Sequence, residues 1–336
     1  MKLGLMWGYW GQLPPPEVIE TTQEAERLGF DSVWTAEAWG SDAFTPLAWI
    51  AGHTSTIKLG TSVVQIAART PTATAMGAIT LDHISNGRLM LGLGVSGPQV
   101  VEGWYGRPAN KPLARTREYV EIIRRVLRRD EPLDFEGEFF QHPYRGPDST
   151  GLGKPLKAIT HPLRADVPIY LGAEGPKNVA MAAEIADGWL PLYYSPLHPE
   201  VYAESLKDAK PGFDIVAGAQ VNINDDLEEA LAPVKMMLGF YIGGMGAKGQ
   251  NYHTKLMARF GYEEAALKIQ DAFFEGRRDE AIAMVPDEFA DAISLCGPKE
   301  RIKERLQAWE DSPVSTLLVY SPGVAGLRTM AELVFG

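Results

Sequence analysis

Ile57-Lys58-Leu59-Gly60-Thr61-Ser62-Val63-Val64-Gln65, then Thr70 to Ile84, then Arg88-Leu89-Met90-Leu91-Gly92-Leu93, is the stretch that decides the fold. The first run is dense in β-branched residues and reads as a buried strand. Thr70 to Ile84 reads as a helix and Arg88 to Leu93 as the next strand, so the unit is strand–helix–strand and calls for a parallel sheet. The same alternation extends to both ends of the chain. On the N-terminal side lie strand Lys2 to Met6, helix Pro14 to Leu28 with prolines at its start and Gly29 just past its end, strand Ser32 to Thr35, and helix Thr45 to His53. On the C-terminal side comes an amphipathic helix, Leu113 to Arg129, with Tyr119, Ile122, Ile123 and Val126 on one face. Strand Pro168 to Leu171, helix Lys177 to Ala186, strand Gly188 to Leu192 and strand Asp214 to Ile223 follow. Helix Lys299 to Trp309, strand Val314 to Tyr320 and helix Gly326 to Phe335 close the chain.

Two stretches interrupt this rhythm. Residues 130 to about 167 are rich in Gly and Pro, with one hairpin near Leu133 to Gln141. Residues 227 to about 297 read as almost wholly helical apart from Gly243-Gly244-Met245-Gly246-Ala247-Lys248-Gly249. Eight strands, each followed by helical material, favour an α/β fold closed as a (β/α)8 TIM barrel over an open doubly wound sheet. No linker suits a domain boundary, so residues 1–336 are expected to form a single barrel domain carrying both insertions.

Composition excludes several classes of function. The chain has 336 residues, a net charge of −11, 45% hydrophobic and 22% charged residues, which is ordinary for a folded protein. A lone cysteine, Cys296, rules out an internal disulfide framework and multi-thiolate zinc sites. The acidic balance argues against nucleic acid as a partner. No run approaches ~18 apolar residues, and Met1 to Met6 is too short for a signal segment, so no membrane is expected and a cytoplasmic location is. The six histidines, His53, His83, His142, His161, His198 and His253, show no metal-ligand spacing, and no metal site is expected. G-x-S-x-G and P-loop motifs are absent.

Three loops stand at strand C-terminal ends, which is the active face of a barrel. Glu37, just past the second strand, outranks the helical glutamates as a catalytic candidate. Gly94-Val95-Ser96-Gly97 completes a literal G-x-G-x-x-G with Gly92, but Pro98 follows at once and Glu118, about 20 residues on, lies inside a helix. The loop is therefore either a plain barrel turn or one that lets backbone N–H groups approach a flat ligand or a phosphate. Gly172-Ala173-Glu174-Gly175-Pro176-Lys177 joins the fifth strand to a helix N-terminus, where an anion is the natural occupant and Lys177 a point charge; an ordinary strand-to-helix loop explains it equally. Tyr9, Trp10, Trp104 and Tyr105 put aromatics on the same rim. The Gly243 to Gly249 run reads either as a lid carrying Lys248 or as a flexible link.

Leu59-Gly60-Thr61-Ser62-Val63-Val64, then Ile84-Ser85-Asn86-Gly87-Arg88-Leu89-Met90-Leu91-Gly92-Leu93-Gly94, then Leu171 to Pro176 with Ala186-Asp187-Gly188-Trp189, taken in order, resemble the bacterial luciferase-like superfamily. The closer resemblance is to its branch of oxidoreductases dependent on the deazaflavin coenzyme F420. The helix end S-x-G-R before a strand closing in G-x-G is the most specific element, and the resemblance covers essentially the whole chain. It implies a non-prolyl cis peptide at Ser62–Val63 forming a bulge behind the central ring of the coenzyme. It also implies phosphate binding by Gly172 to Lys177 and a ring bordered by Gly94 to Gly97. The resemblance also implies a homodimer, and if the Gly243 to Gly249 run is a lid, Lys248 is expected to cover the coenzyme tail.

Departures accompany the match. The F420-dependent sugar-phosphate dehydrogenases carry an acidic residue and a histidine after the second strand, where this chain has Glu37-Ala38. They also carry a glutamate after the fourth, where this chain has Gly97 with Glu102 nearby. The resemblance therefore implies hydride transfer between C5 of F420 and a small organic substrate other than a sugar phosphate, with Glu37 as the proton donor or acceptor. An FMN-dependent monooxygenase of the same superfamily is the alternative, since both coenzymes pair a tricyclic ring with a phosphate. A non-catalytic flavin- or deazaflavin-binding barrel is the second.

Overall fold

The computed structural model describes residues 1–320 and 323–336. Eight parallel strands form the barrel: Lys2–Gly8, Ser32–Thr35, Lys58–Thr61, Leu89–Gly94, Ile169–Gly172, Gly188–Leu190, Asp214–Ile223 and Thr316–Tyr320. The third continues after a break as Val64–Gln65, which pairs with Leu93 and Gly94. Closure is direct: the first strand pairs with the last, Lys2 opposite Thr316 through Met6 opposite Tyr320. The seventh strand pairs with both the sixth and the eighth. All eight strands expected from the alternation are present in the closed barrel.

The lumen is filled by Met6, Trp34, Met90, Tyr170, Leu190, Val216 and Leu318, with Val63 and Tyr320 packed on top. Trp34 fits because the next strand offers Gly60: a Cβ there would stand 2.2 Å from the indole. Gly4 makes the same concession to Leu318, at 2.5 Å. A second, larger core lies between barrel and helices, where Leu3, Leu5, Val33, Leu59, Leu91 and Val319 meet the inner faces of the surrounding helices. Each strand thus buries both faces, which is what its near-continuous apolar run requires.

The S-x-G-R motif belongs to the scaffold. Asn86 and Gly87 end the helix Pro71–Ile84 with φ of 55° and 82°, the left-handed region that a short polar residue or glycine tolerates. Arg88 then donates to the carbonyls of Ser85, Ala51, Thr54 and Ile57, tying the turn at Ser85 to the connection over residues 51–57 at the N-terminal mouth of the barrel. Its chemistry is hydrogen bonding of otherwise orphaned carbonyls, at the end of the barrel opposite the active face.

Both insertions are built, and they flank one another. The first contains the antiparallel pair Phe135–Glu136 with Gln141–His142, one residue beyond the expected hairpin. Glu118 holds its turn by accepting from the N–H groups of Glu138, Phe139 and Phe140. The second insertion begins with helix Leu227–Gly244 and includes Tyr252–Met257 and Glu263–Phe274. It also contains a strand the helical reading missed, Ser294–Gly297, which pairs with Gln220–Ile223 outside the barrel. Four residues are too few to show a period of two against a helical background. Gly243 and Gly244 belong to the helix, where a Cβ would come within 2.6 and 2.4 Å of Phe273. That close packing explains the start of the glycine run.

Filling the space beside Trp34 is the sharpest test of the lumen packing. Gly60→Ala should lower unfolding free energy by about 1–3 kcal/mol, because the indole has no flexible end to withdraw. Urea unfolding followed by tryptophan fluorescence measures it.

Candidate active site

At the C-terminal face the strand ends surround a cavity of about 1010 Å3. All twelve residues expected at the coenzyme line it: Ser62, Val63, Gly94, Val95, Ser96, Gly97, Gly172, Ala173, Glu174, Gly175, Pro176 and Lys177. Three separate barrel segments supply them, so the geometry brings together what the sequence lists apart. The Ser62–Val63 peptide is cis. It lies at the break in the third strand, where the Thr61 hydroxyl donates to the Gly92 carbonyl and accepts from the Gly92 N–H, each at 2.8 Å.

Val63 stands at the centre of the cavity floor because its neighbours lack side chains. A Cβ on Gly94 would fall 2.4 Å from a Val63 methyl, and one on Gly172 would fall 3.1 Å from the other. At Gly97 and Gly175 a Cβ would meet nothing within 4 Å, so backbone borders open space there. The floor is therefore an apolar platform edged by bare backbone, a shape suited to a flat ring system. Beside it, Gly175 precedes the helix Pro176–Ile185; Pro176 has no N–H and the Asn178 N–H donates to the Gly175 carbonyl at 2.9 Å, which leaves the Lys177 N–H as the first donor without a partner inside the helix. That end, with Lys177, is suited to an anion. Trp39 and Trp104 form part of the wall. Tyr9 sits on the rim and meets the Tyr241 hydroxyl at 3.1 Å.

Glu37 lies elsewhere. It is buried, it is not among the cavity-lining residues, and both carboxylate oxygens are taken. Arg69 donates to them at 2.6 and 3.1 Å, and the Gln65 N–H donates at 2.7 Å. Burial pushes its carboxyl up, against the pull of Arg69 and of the Gln65 N–H. The main chain of Glu37 is equally committed: its N–H donates to the Val63 carbonyl, and its carbonyl accepts from the Gln65 amide. Residue 37 thus brackets residues 63 to 65 from both sides. Lys248 is also outside the cavity, paired with Asp271 at 2.6 Å on the surface.

The helical insertion contributes a group that no motif marked. His253 lines the cavity, and its Nδ1 donates to the Glu174 carboxylate at 3.0 Å. Its ring lies edge-on to Tyr241 and Tyr193, 5.1 and 6.0 Å between centroids. The partners are 79 residues apart, with no spacing rule to connect them. Arg259 donates to the Glu174 carbonyl, fixing the same loop. The Glu174 side chain therefore faces the histidine, and the anion-binding character of its loop rests on backbone N–H groups and Lys177. Tyr320, at the end of the last strand, completes the floor; burial raises its hydroxyl to about 12, so it keeps its proton at neutral pH. Among the described residues no cluster of His, Cys, Asp and Glu could hold a metal ion, and no helix is long and apolar enough to cross a membrane.

The clamp on residues 63 to 65 predicts a stability effect. Glu37→Ala leaves Arg69 without its main buried partner and frees the Gln65 N–H, and should destabilise the fold by about 3 kcal/mol. Urea denaturation of the two proteins at pH 7 reads the difference.

With this geometry in view, comparison with known proteins is informative. A family model described as luciferase-like monooxygenase matches residues 6–316. A Mycobacterium tuberculosis protein provisionally named as a coenzyme F420-dependent oxidoreductase is 51% identical, over 99% of both chains. The 5,10-methylenetetrahydromethanopterin reductase of Archaeoglobus fulgidus is 31% identical, over 89% of this chain and 87% of its own. The solved coenzyme F420-dependent tetrahydromethanopterin reductase of Methanopyrus kandleri superposes with a TM-score of 0.81 at 23% identity, covering 99% of this chain and 98% of that one. Fold, cavity and sequence agree, and the chain belongs to the luciferase-like monooxygenase family.

Proposed function

We propose that the protein is a coenzyme F420-dependent oxidoreductase acting on a small organic substrate. The observation that carries this reading is the convergence of Val63, its two flanking glycines and the Gly172–Lys177 loop on one cavity. The names of the two relatives at 51% and 31% identity support it. Val63 and the backbone of Gly94 to Gly97 would hold the ring, and Gly175 to Lys177 the phosphate. When bound, the coenzyme supplies or accepts a hydride at C5, and the protein's own work is positioning and electrostatics. The platform excludes water beneath the ring, since its exposed atoms are the methyls of Val63 and the side chains beside it. A homodimer, which the sequence resemblance implies, and a cytoplasmic location, expected from the sequence pattern, belong to the same reading.

Hydride transfer to or from a carbon beside oxygen or nitrogen requires a proton to move at the heteroatom. His253 is the group placed to handle it. Its Nδ1–H is held by Glu174, which leaves Nε2 to exchange a proton with substrate. Glu37 acts as a positioning residue in this scheme, keeping residues 63 to 65 in place under the ring. His253→Gln should lower turnover by about 100-fold while coenzyme affinity stays unchanged. Stopped-flow oxidation of the reduced coenzyme against enones, imines and pterins checks it.

Binding separates F420 from the FMN alternative. Titration of the apoprotein, followed by the fluorescence of each coenzyme, should give F420 a dissociation constant at least about tenfold lower than that of FMN. Gly94→Ala, which drives Val63 upward into the ring's place, should weaken F420 by about tenfold or more. Tight FMN binding with F420 ignored would overturn the reading in favour of the monooxygenase.

A further inference from the structure

Next to the main cavity is a second chamber of about 420 Å3, and the two share Val95, Ser96, Pro112 and Tyr252. Its charge is out of keeping with the rest of the molecule. In a chain of net charge −11, its wall holds Arg69, Arg107 and Arg115 and not one carboxylate among the described residues. Arg69 is neutralised by Glu37 and Asp42, at 2.6 and 2.9 Å. The other two are not: among the described residues neither Arg107 nor Arg115 has a carboxylate partner. Arg115 lies flat over Phe139, 4.3 Å from the ring centroid, and its buried Nε has no hydrogen-bond partner.

That arrangement is built. Phe139 belongs to the hairpin turn that Glu118 clamps through three N–H groups, and Glu118 is one turn along the helix from Arg115. The stacked guanidinium commits Nη2 to a long bond to the Asn110 side-chain oxygen at 3.4 Å and leaves Nε and Nη1 for a carboxylate, which is the preparation bidentate binding needs. A buried N–H without a partner is costly, and a ligand oxygen is the group the site lacks.

We infer that this chamber binds a carboxylate-bearing chain, and that the chain is the tail of the coenzyme. The assignment rests on the proposed function above, because F420 carries beyond its phosphate a lactyl group and γ-linked glutamates. The chamber lies on the route such a tail would take. Pro112 and Leu113 line the main cavity together with the Pro176–Asn178 loop, and Pro112 and Arg115, one turn apart on the same helix, line the chamber. Arg107 and Arg115 would then fix tail carboxylates, with Tyr252 and Tyr144 enclosing the chain.

The test compares coenzymes that differ only in the tail. F420 with five glutamates and the form ending at the lactyl group are titrated into the intact protein by fluorescence. Wild type should bind the long form at least about tenfold more tightly, with the preference shrinking as salt rises. Arg107→Met/Arg115→Met should reduce the preference to under about threefold and leave affinity for the short form unchanged. Because Arg115 packs on Phe139, Ala109→Glu is the second variant; it adds a carboxylate to the chamber without touching either arginine, and should also abolish the preference. Equal affinity of wild type for both forms overturns the assignment and leaves the arginines to an anionic substrate. A preference that survives both variants overturns it too. Failure of both forms to bind instead sinks the proposed function, so the two ideas fall separately.

Discussion

The packing of one valine between two glycines is the constraint on which the active face depends. Val63 can lie on the barrel's apolar lumen only because Gly94 and Gly172 leave its methyls room, and its segment is held there by Glu37 from the neighbouring strand. The third strand breaks at this point, and the Thr61 hydroxyl takes over the hydrogen bonds that the ladder gives up. A barrel strand that ran straight through would give the cavity a corrugated floor in place of a platform. Every functional element on that face is arranged around the platform: the phosphate-type loop on one side, aromatic walls above, and the helical insertion as a cover.

Most of the scaffold was legible in the sequence because its determinants are local. Each barrel strand has both faces buried and so announces itself as an apolar run, and helix starts such as Pro71, Pro112 and Pro176 carry a proline. The ten cavity residues of Gly94 to Gly97 and Gly172 to Lys177 were legible for a related reason: glycines clustered at strand ends mark places where backbone must come close to something, whereas Ser62 and Val63 were reached through the family resemblance. What that something is divides in two, and the sequence does not separate the cases. Gly94 and Gly172 make room for Val63, whereas Gly97 and Gly175 border open space.

What stayed hidden depends on pairings distant in the chain. Glu37 stands at the right end of its strand for catalysis, but an arginine 32 residues later closes over it. No pattern in residues 35–39 distinguishes a carboxylate facing substrate from one facing a guanidinium. His253 presents the opposite case, a histidine in an unremarked helix that acquires a role only when the insertion folds back onto Glu174. The short strand Ser294–Gly297 was lost in helical surroundings, and Glu118, noted only as lying inside a helix beyond the glycine loop, proves to organise a hairpin.

These features divide the labour of the site. In the proposed reading, backbone and valine shape the place for a ring, a helix end and a lysine offer charge for a phosphate, and His253, brought from the insertion, would manage protons. The central claim is that the Val63 platform carries the coenzyme ring. A crystal structure of the protein with F420 tests it most directly. The account predicts the ring lying against Val63, with the phosphate hydrogen-bonded to the N–H groups of Gly175 and Lys177. A ring bound elsewhere in the cavity, with Val63 left facing water, would contradict it.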